Sequence, residues 1–295
     1  MGKNESEQNN RALKLLLLGV WALYALIAFL VNHVPNGEQI VSAAPEQTDT
    51  APAATQVTDA TAPDTETQTA VPAGPRDIYL TFDDGPCKNT PQVLDLLDSY
   101  GAKATFFTVG AYVDRYPEYA ADIVARGNLI ACHSYTHDMK KCYASADAFM
   151  NELEQWRQAA TNACGALPER VCVRFPGGSM TKYAADCSEE IKARLFENGY
   201  RWFNWNAGDN DKWQKGNTEN LPDEEYFMRS YRECMSWFDD EPDTPVVFLL
   251  HDTEDGTVNI LPAVLHDLVE RGYRFNLLDS HPDWEAADMS ALTAP

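Results

Sequence analysis

Positive charge is scarce in this chain. Its 295 residues carry 23 Lys and Arg against 45 Asp and Glu, a formal net charge of −22. That excess of acid would repel a phosphate backbone, and no basic stripe with interleaved aromatics offsets it, which argues against a nucleic-acid partner. Cysteine is present without pattern. The seven cysteines are odd in number and include no C-x-x-C pair. A zinc-finger site is excluded and a disulfide framework is not expected; free or buried thiols are, with one pair, Cys164 with Cys172, left open. No G-x-S-x-G occurs, so the serine elbow of an α/β hydrolase is missing. Lys and Arg are also absent from the whole stretch between Lys14 and Arg76.

That last gap orients the amino-terminal end. Leu15 to Val31 is a run of 17 residues without a charge, preceded by Lys3, Arg11 and Lys14. It is long for a signal-peptide core and just long enough to span a bilayer. With its flanks it reads as a transmembrane anchor over 12–34, with 1–11 as a cytoplasmic tail, because the positive side stays inside. Cleavage after Ala43 or Ala44 is the competing reading, although that site lies well past the apolar run and next to Pro45. Residues 35–75 are rich in Ala, Thr, Pro and acids and nearly free of large apolar side chains. They cannot bury enough surface to offset the entropy of ordering, so a disordered linker is expected. Its reach would carry the following domain outward, into a cell-wall layer.

From Arg76 the texture changes. Short apolar runs appear at 78–82, 104–110, 128–133, 170–175, 200–205, 246–251 and 273–278. Between several of them lie amphipathic stretches at 90–101, 116–127, 146–161, 188–199 and 261–272. Strand followed by helix, repeated, predicts an α/β fold with a mostly parallel sheet. One barrel-like domain over 76–282 accounts for the pattern, leaving 283–295 as a tail.

Residues that carry chemistry gather at the ends of the predicted strands. Asp83 and Asp84 follow the first, His133 and His137 the third, Arg174 the fourth, Asp209 and Asp211 the fifth, and His251 the sixth. The carboxyl ends of parallel strands form one face, where active sites are built. Asp84, His133 and His137 make a candidate metal site: H-x3-H puts two imidazoles on one side of a helical turn, and a carboxylate supplies the third ligand. Three N/O ligands with a position left for water suit one catalytic divalent ion, zinc by expectation, with cobalt or nickel able to substitute. Adjacent aspartates repel each other unless a cation binds one of them, which leaves Asp83 to accept a proton from water. His251 could protonate a departing amine. Blander readings stay open for both: Asp83 as a helix N-cap, His251 as a buried histidine bonded to a carbonyl.

These segments closely resemble the ordered motifs of the polysaccharide deacetylase family (NodB homology, carbohydrate esterase family four). Thr81-Phe82-Asp83-Asp84-Gly85-Pro86 looks like the first motif, His133-Ser134-Tyr135-Thr136-His137 the second, Arg174-Phe175-Pro176-Gly177-Gly178 the third and Leu249-Leu250-His251 the fifth. The resemblance covers roughly 76 to 280. It implies a distorted (β/α) barrel with Asp83 as general base, Asp84, His133 and His137 as metal ligands, Arg174 orienting the base and His251 as general acid. It further implies that the Gly177 N–H helps hold the oxyanion and that Leu249 lines the pocket for the acetyl methyl. The fourth motif departs. The family shows Asp-x-x-Asp-Trp, whereas Trp205 here is followed by Asn206-Ala207-Gly208-Asp209-Asn210-Asp211-Lys212-Trp213. By spacing Asp211 matches the second aspartate and becomes the expected partner of His251, with Asp209 as fallback.

The activity this implies is removal of N-acetyl groups from an amino-sugar polymer. Peptidoglycan is the polymer within reach of an anchored enzyme. An O-acetyl esterase on the same site is the alternative, and a non-catalytic carbohydrate-binding protein the rival from another class. The rival would have lost at least one of Asp83, Asp84, His133, His137 and His251, and all five are present.

Overall fold

A computed structural model of the chain describes residues 76–208, 222–241 and 243–285. The expected cytoplasmic tail, the Leu15–Val31 anchor, the 35–75 linker, Asp209 and Asp211 lie outside the described residues. Among the described residues no helix is long and apolar enough to cross a membrane.

The strands are β1 (Arg76–Asp83), β2 (Ala104–Thr108), β3 (Leu129–Cys132), β4 (Cys172–Val173), β5 (Arg201–Trp202), β6 (Ala207–Gly208), β7 (Val246–His251) and β8 (Tyr273–Phe275). They pair in parallel in the order β5-β4-β3-β2-β1-β7-β6, with β8 against the first residues of β1. Every residue of β2, β3 and β7 is buried. Unbroken apolar runs such as Val246-Val247-Phe248-Leu249-Leu250 mark strands covered on both faces, the condition of a parallel sheet wrapped by helices.

The helices are α1 (Thr90–Ser99), α2 (Gly110–Arg115), α3 (Pro117–Ala125), α4 (Met139–Cys142), α5 (Ala146–Cys164), α6 (Ser188–Glu197), α7 (Asp223–Trp237) and α8 (Asp255–Glu270). The longest, α5, starts where the Ser145 side chain accepts from Ala148 N at 3.1 Å and ends at Gly165, whose φ of +77° stops it. Phe149, Leu153, Trp156 and Ala160 recur at three- and four-residue spacing along its buried side. Three helices are not predicted from the sequence. The two short ones, α2 and α4, are too brief to show a period. Polar residues dominate α7, yet Phe227, Tyr231 and Met235 recur every four residues and are buried. The α8 helix begins six residues before the predicted stretch, because Thr257, Val258 and Ile260 are buried despite the turn-like Asp255-Gly256.

The expected barrel takes the form of an open, strongly curled sheet. Among the described residues no ladder joins the edge strands β5 and β6. Those edges are nevertheless consecutive in the chain. Phe203 N donates to Val173 O at 2.9 Å on one side, and Asn206 N donates to Val247 O at 3.1 Å on the other. Three peptide steps span at most roughly 11 Å, so the two margins of the sheet must lie close together. The packed fold continues past the predicted limit at 282, through a 3₁₀ turn over Pro282–Glu285 that buries Trp284.

Gly208 ties the β6 margin to β7. Its φ is +93°, and a Cβ there would lie 2.2 Å from Leu249 O. Gly208→Ala should therefore destabilise the protein by about 2 kcal/mol or more, combining backbone strain with the clash. Gly256→Ala, at a helical position with nothing within 4 Å, should be neutral or stabilising by up to about 1 kcal/mol. Urea midpoints of the two variants check this; equal midpoints would contradict it.

Candidate active site

The site is built at the carboxyl ends of β1, β3, β4 and β7. In register, Asp83 stands opposite His251 and Thr81 opposite Leu249 across the β1–β7 ladder. Alternation puts Thr81 and Asp83 on one face of β1, and Leu249 and His251 on the same face of β7. Asp83, His133, Arg174 and His251 are all buried.

Arg174 organises the floor. The chain places it one residue past β4, fully buried, against the Phe107 ring 4.1 Å away. Its Nη1 donates to Asp83 Oδ1 at 2.8 Å and to Thr81 Oγ1 at 2.7 Å. Its Nε donates to Phe203 O at 3.1 Å and Nη2 to Asn204 O at 3.0 Å. The expected orienting contact between Arg174 and Asp83 is thus present, and the same guanidinium also bonds the seam between the sheet margins.

Asp84, His133 and His137 come together as a possible metal site, one ligand atom from each lying within 4.8 Å of the others. The His133 and His137 Nε2 atoms stand 3.4 and 3.2 Å from Asp84 Oδ1. His133 Nδ1 lies 2.9 Å from Arg174 O. A carbonyl only accepts, so Nδ1 carries the hydrogen and, in the neutral ring, Nε2 turns its lone pair toward the carboxylate. Lone pairs of imidazole and carboxylate facing each other in a buried site call for a cation between them. A metal-bound histidine whose other nitrogen donates to a carbonyl has this same arrangement, so the donor set fits a divalent ion.

The backbone corrects one prediction. His133 and His137 do not lie on a helical turn; they sit on a loop between β3 and α4. Ser134 and His137 adopt left-handed φ of 63° and 54°, and the Ser134 hydroxyl accepts from His137 N at 3.0 Å. The imidazoles converge through the loop's curl rather than through helical spacing, with ring centroids 5.0 Å apart. Asp84 is also left-handed, with φ 72°. His137 is the most accessible of the three, its side chain 36% exposed. Beside it a cavity of about 220 Å³ is lined by Asp84, Val109, Tyr112, His137 and Thr253.

Of the remaining predicted residues, Leu249 is buried two positions before His251. Gly177 turns the chain after β4 with φ +72°, and a Cβ there would meet the Met139 side chain at 2.7 Å, beside the His137 loop. The seven cysteines are free, Cys164 and Cys172 included. Burial pushes the Cys132 and Cys172 thiols far above their ordinary range, so neither serves as a thiolate.

Sequence comparison agrees with this geometry. The polysaccharide deacetylase family profile matches residues 70–196. A peptidoglycan-N-acetylglucosamine deacetylase of Bacillus cereus is 30% identical over 197 residues, covering 67% of this chain and 67% of that protein. A chitooligosaccharide deacetylase of Rhizobium leguminosarum bv. trifolii is 31% identical over 150 residues, 50% of this chain and 64% of its own length. Among solved structures, the catalytic domain of a peptidoglycan N-acetylglucosamine deacetylase from Eubacterium rectale superposes with a TM-score of 0.60 at 29% identity, covering 72% of this chain and 93% of that one.

Sequence reasoning missed Asp252. It follows His251, is fully buried, and accepts a short hydrogen bond from Thr90 Oγ1. It packs directly behind the first motif, since a Cβ on Gly85 would lie 2.5 Å from both its carboxylate oxygens. Burial pushes this carboxyl up to about 7, helped by the nearby Asp84 charge and opposed by the Thr90 hydroxyl. A raised carboxyl pKa means the folded state holds a proton that the unfolded chain loses near pH 4. Its contribution is therefore full below about pH 4 and is lost progressively as pH rises to about 7. In metal-free protein, Asp252→Asn should remove a fall of roughly 2–4 kcal/mol between pH 4 and 7.5 that wild type shows. Denaturant titrations across that range check it, and parallel wild-type and variant curves would refute it.

Proposed function

The chain belongs to the polysaccharide deacetylase family, and we propose that it removes N-acetyl groups from the glucosamine units of a cell-wall polymer, peptidoglycan foremost. The observation that carries this reading is the meeting of Asp83, held by Arg174, with the Asp84–His133–His137 ligand set at one end of the sheet. Few reactions need a positioned carboxylate base beside a three-ligand cation site open on one side. Hydrolysis of an acetamide is one of them.

Asp84, His133 and His137 would hold one divalent ion, with zinc the natural choice for a carboxylate and two imidazoles. When bound, such an ion supplies Lewis-acid polarisation of a carbonyl and lowers the pKa of water. Asp83 takes the proton of the attacking water. The Arg174 guanidinium fixes the orientation of its carboxylate, donating to Oδ1 at 2.8 Å. The Gly177 N–H donates to the oxyanion as the carbonyl becomes tetrahedral, and Leu249 receives the acetyl methyl. His251, across the ladder from Asp83, donates a proton to the departing nitrogen. Asp211 is the proposed carboxylate that keeps this imidazole protonated, with Asp209 its alternate. The products are acetate and a free amine on the sugar.

A chelator should abolish acetate release from N-acetylglucosamine oligomers and peptidoglycan, and added zinc should restore it. Asp83→Asn and His251→Ala should each lower kcat by about 10² or more while keeping wild-type metal content. Asp84→Ala should lose the metal. Loss of metal in Asp83→Asn would reverse the assignment of the two aspartates. Acetate release only from O-acetylated glycans would replace the amidase with an esterase.

The charge placement around Leu15–Val31 supports a single-pass membrane protein with its catalytic domain outside. Protease added to intact wall-less cells should then release a soluble catalytic fragment. A fragment protected until the membrane is broken would invert the topology.

A further inference from the structure

We propose that Glu152 of α5 is a positioning residue for the metal centre, setting the curl of the loop that carries His137; the inference rests on the metal-site reading above. Glu152 lies on the buried side of α5, between Phe149 and Trp156, where an acidic side chain is costly to bury. Its carboxylate reaches across to the loop joining the two histidine ligands. Oε2 accepts from Tyr135 N at 3.0 Å and from Thr136 N at 2.7 Å. Thr136 Oγ1 lies 3.0 Å from both carboxylate oxygens, and the Cys142 thiol approaches Oε2 at 3.8 Å. One side chain thus satisfies the amides of the two residues immediately before His137.

The loop needs such a fixture. His133 is held at the end of β3 and by the Arg174 carbonyl, whereas His137 follows four residues of irregular backbone with Ser134 and His137 itself at left-handed φ. Consecutive N–H groups pointing the same way form a concave nest that binds a negatively charged acceptor. Glu152 fills it from a 19-residue helix capped by Ser145 and terminated at Gly165, so the acceptor is rigidly placed. Outer partners that orient a ligand in this way commonly govern metal affinity by 10- to 100-fold.

Two variants separate acceptor position from charge. Glu152→Asp keeps the charge but withdraws the carboxylate by one methylene, out of reach of both amides. Glu152→Gln removes the charge but keeps an oxygen at the nest and turns its NH₂ to Thr136 Oγ1, which can accept. The full-length protein, stripped by chelator, is titrated with zinc by calorimetry and with cobalt by visible absorption. Glu152→Asp should bind zinc about 10-fold or more weakly and shift the cobalt bands, while Glu152→Gln stays within about threefold of wild type. In metal-free wild type the Tyr135 and Thr136 amides should exchange slowly with solvent, a measurement that needs no variant to fold. Fast exchange at both, wild-type zinc affinity in Glu152→Asp, or equal loss in the two variants would overturn the proposal. Wild type that binds no zinc would instead overturn the metal reading, and this inference with it.

Discussion

The buried pair of Arg174 and Asp83 is the interaction on which the rest of this architecture depends. A guanidinium with no solvent access loses its hydration, and one carboxylate does not replace it. Arg174 recovers the balance by donating also to Thr81 and to the carbonyls of Phe203 and Asn204. Those carbonyls belong to the segment that crosses from one sheet margin to the other, where no ladder joins the edge strands among the described residues. A single side chain therefore closes the seam of the fold and fixes the orientation of Asp83. Loss of either partner would strand a buried charge, at a cost of about 3–5 kcal/mol.

The candidate metal site follows from the same geometry. Arg174 contributes its backbone carbonyl to His133 Nδ1 while its side chain holds Asp83. The tautomer of His133 and the orientation of Asp83 are thus fixed by one residue. On the other side, Asp252 and Gly85 pack the first motif so closely that only glycine fits between the buried carboxyl and the turn. Asp84 is pressed into a left-handed conformation in that turn and meets the imidazoles. The unfavourable proximity of three buried or half-buried acids, Asp83, Asp84 and Asp252, is offset by Arg174 and by the Thr90 hydroxyl, and a cation held by the ligand set would relieve it further.

The sequence was sufficient for the parts of this protein that are local or repetitive. Apolar runs bounded by polar turns located β1 to β5, β7 and β8, and three- and four-residue spacing located α1, α3, α5, α6 and most of α8. Residue type at the strand ends singled out Asp83, Asp84, His133, His137, Arg174 and His251, and the fold gathers them at one end of the sheet. The family resemblance rested on those same positions. Where the sequence erred, a local rule was overridden. The H-x3-H spacing suggests a helix, yet the backbone of that loop is held by hydrogen bonds to α2 and to side chains, which favour a curl over a turn of helix.

Tertiary structure alone decided the remainder. The two-residue strand β6 has no period to read, and its pairing exists because Gly208 can approach Leu249 where any side chain would collide. The α7 helix is polar in composition and shows its apolar line only against the sheet it covers. Asp252 and Glu152 look like ordinary surface acids in a chain with 45 of them. Their importance comes from partners 162 and 16 or 17 residues away. A sequence specifies periodicity and chemistry position by position. Desolvation and hydrogen-bond satisfaction, which turn an acid into a buried anchor, depend on what the fold brings against it.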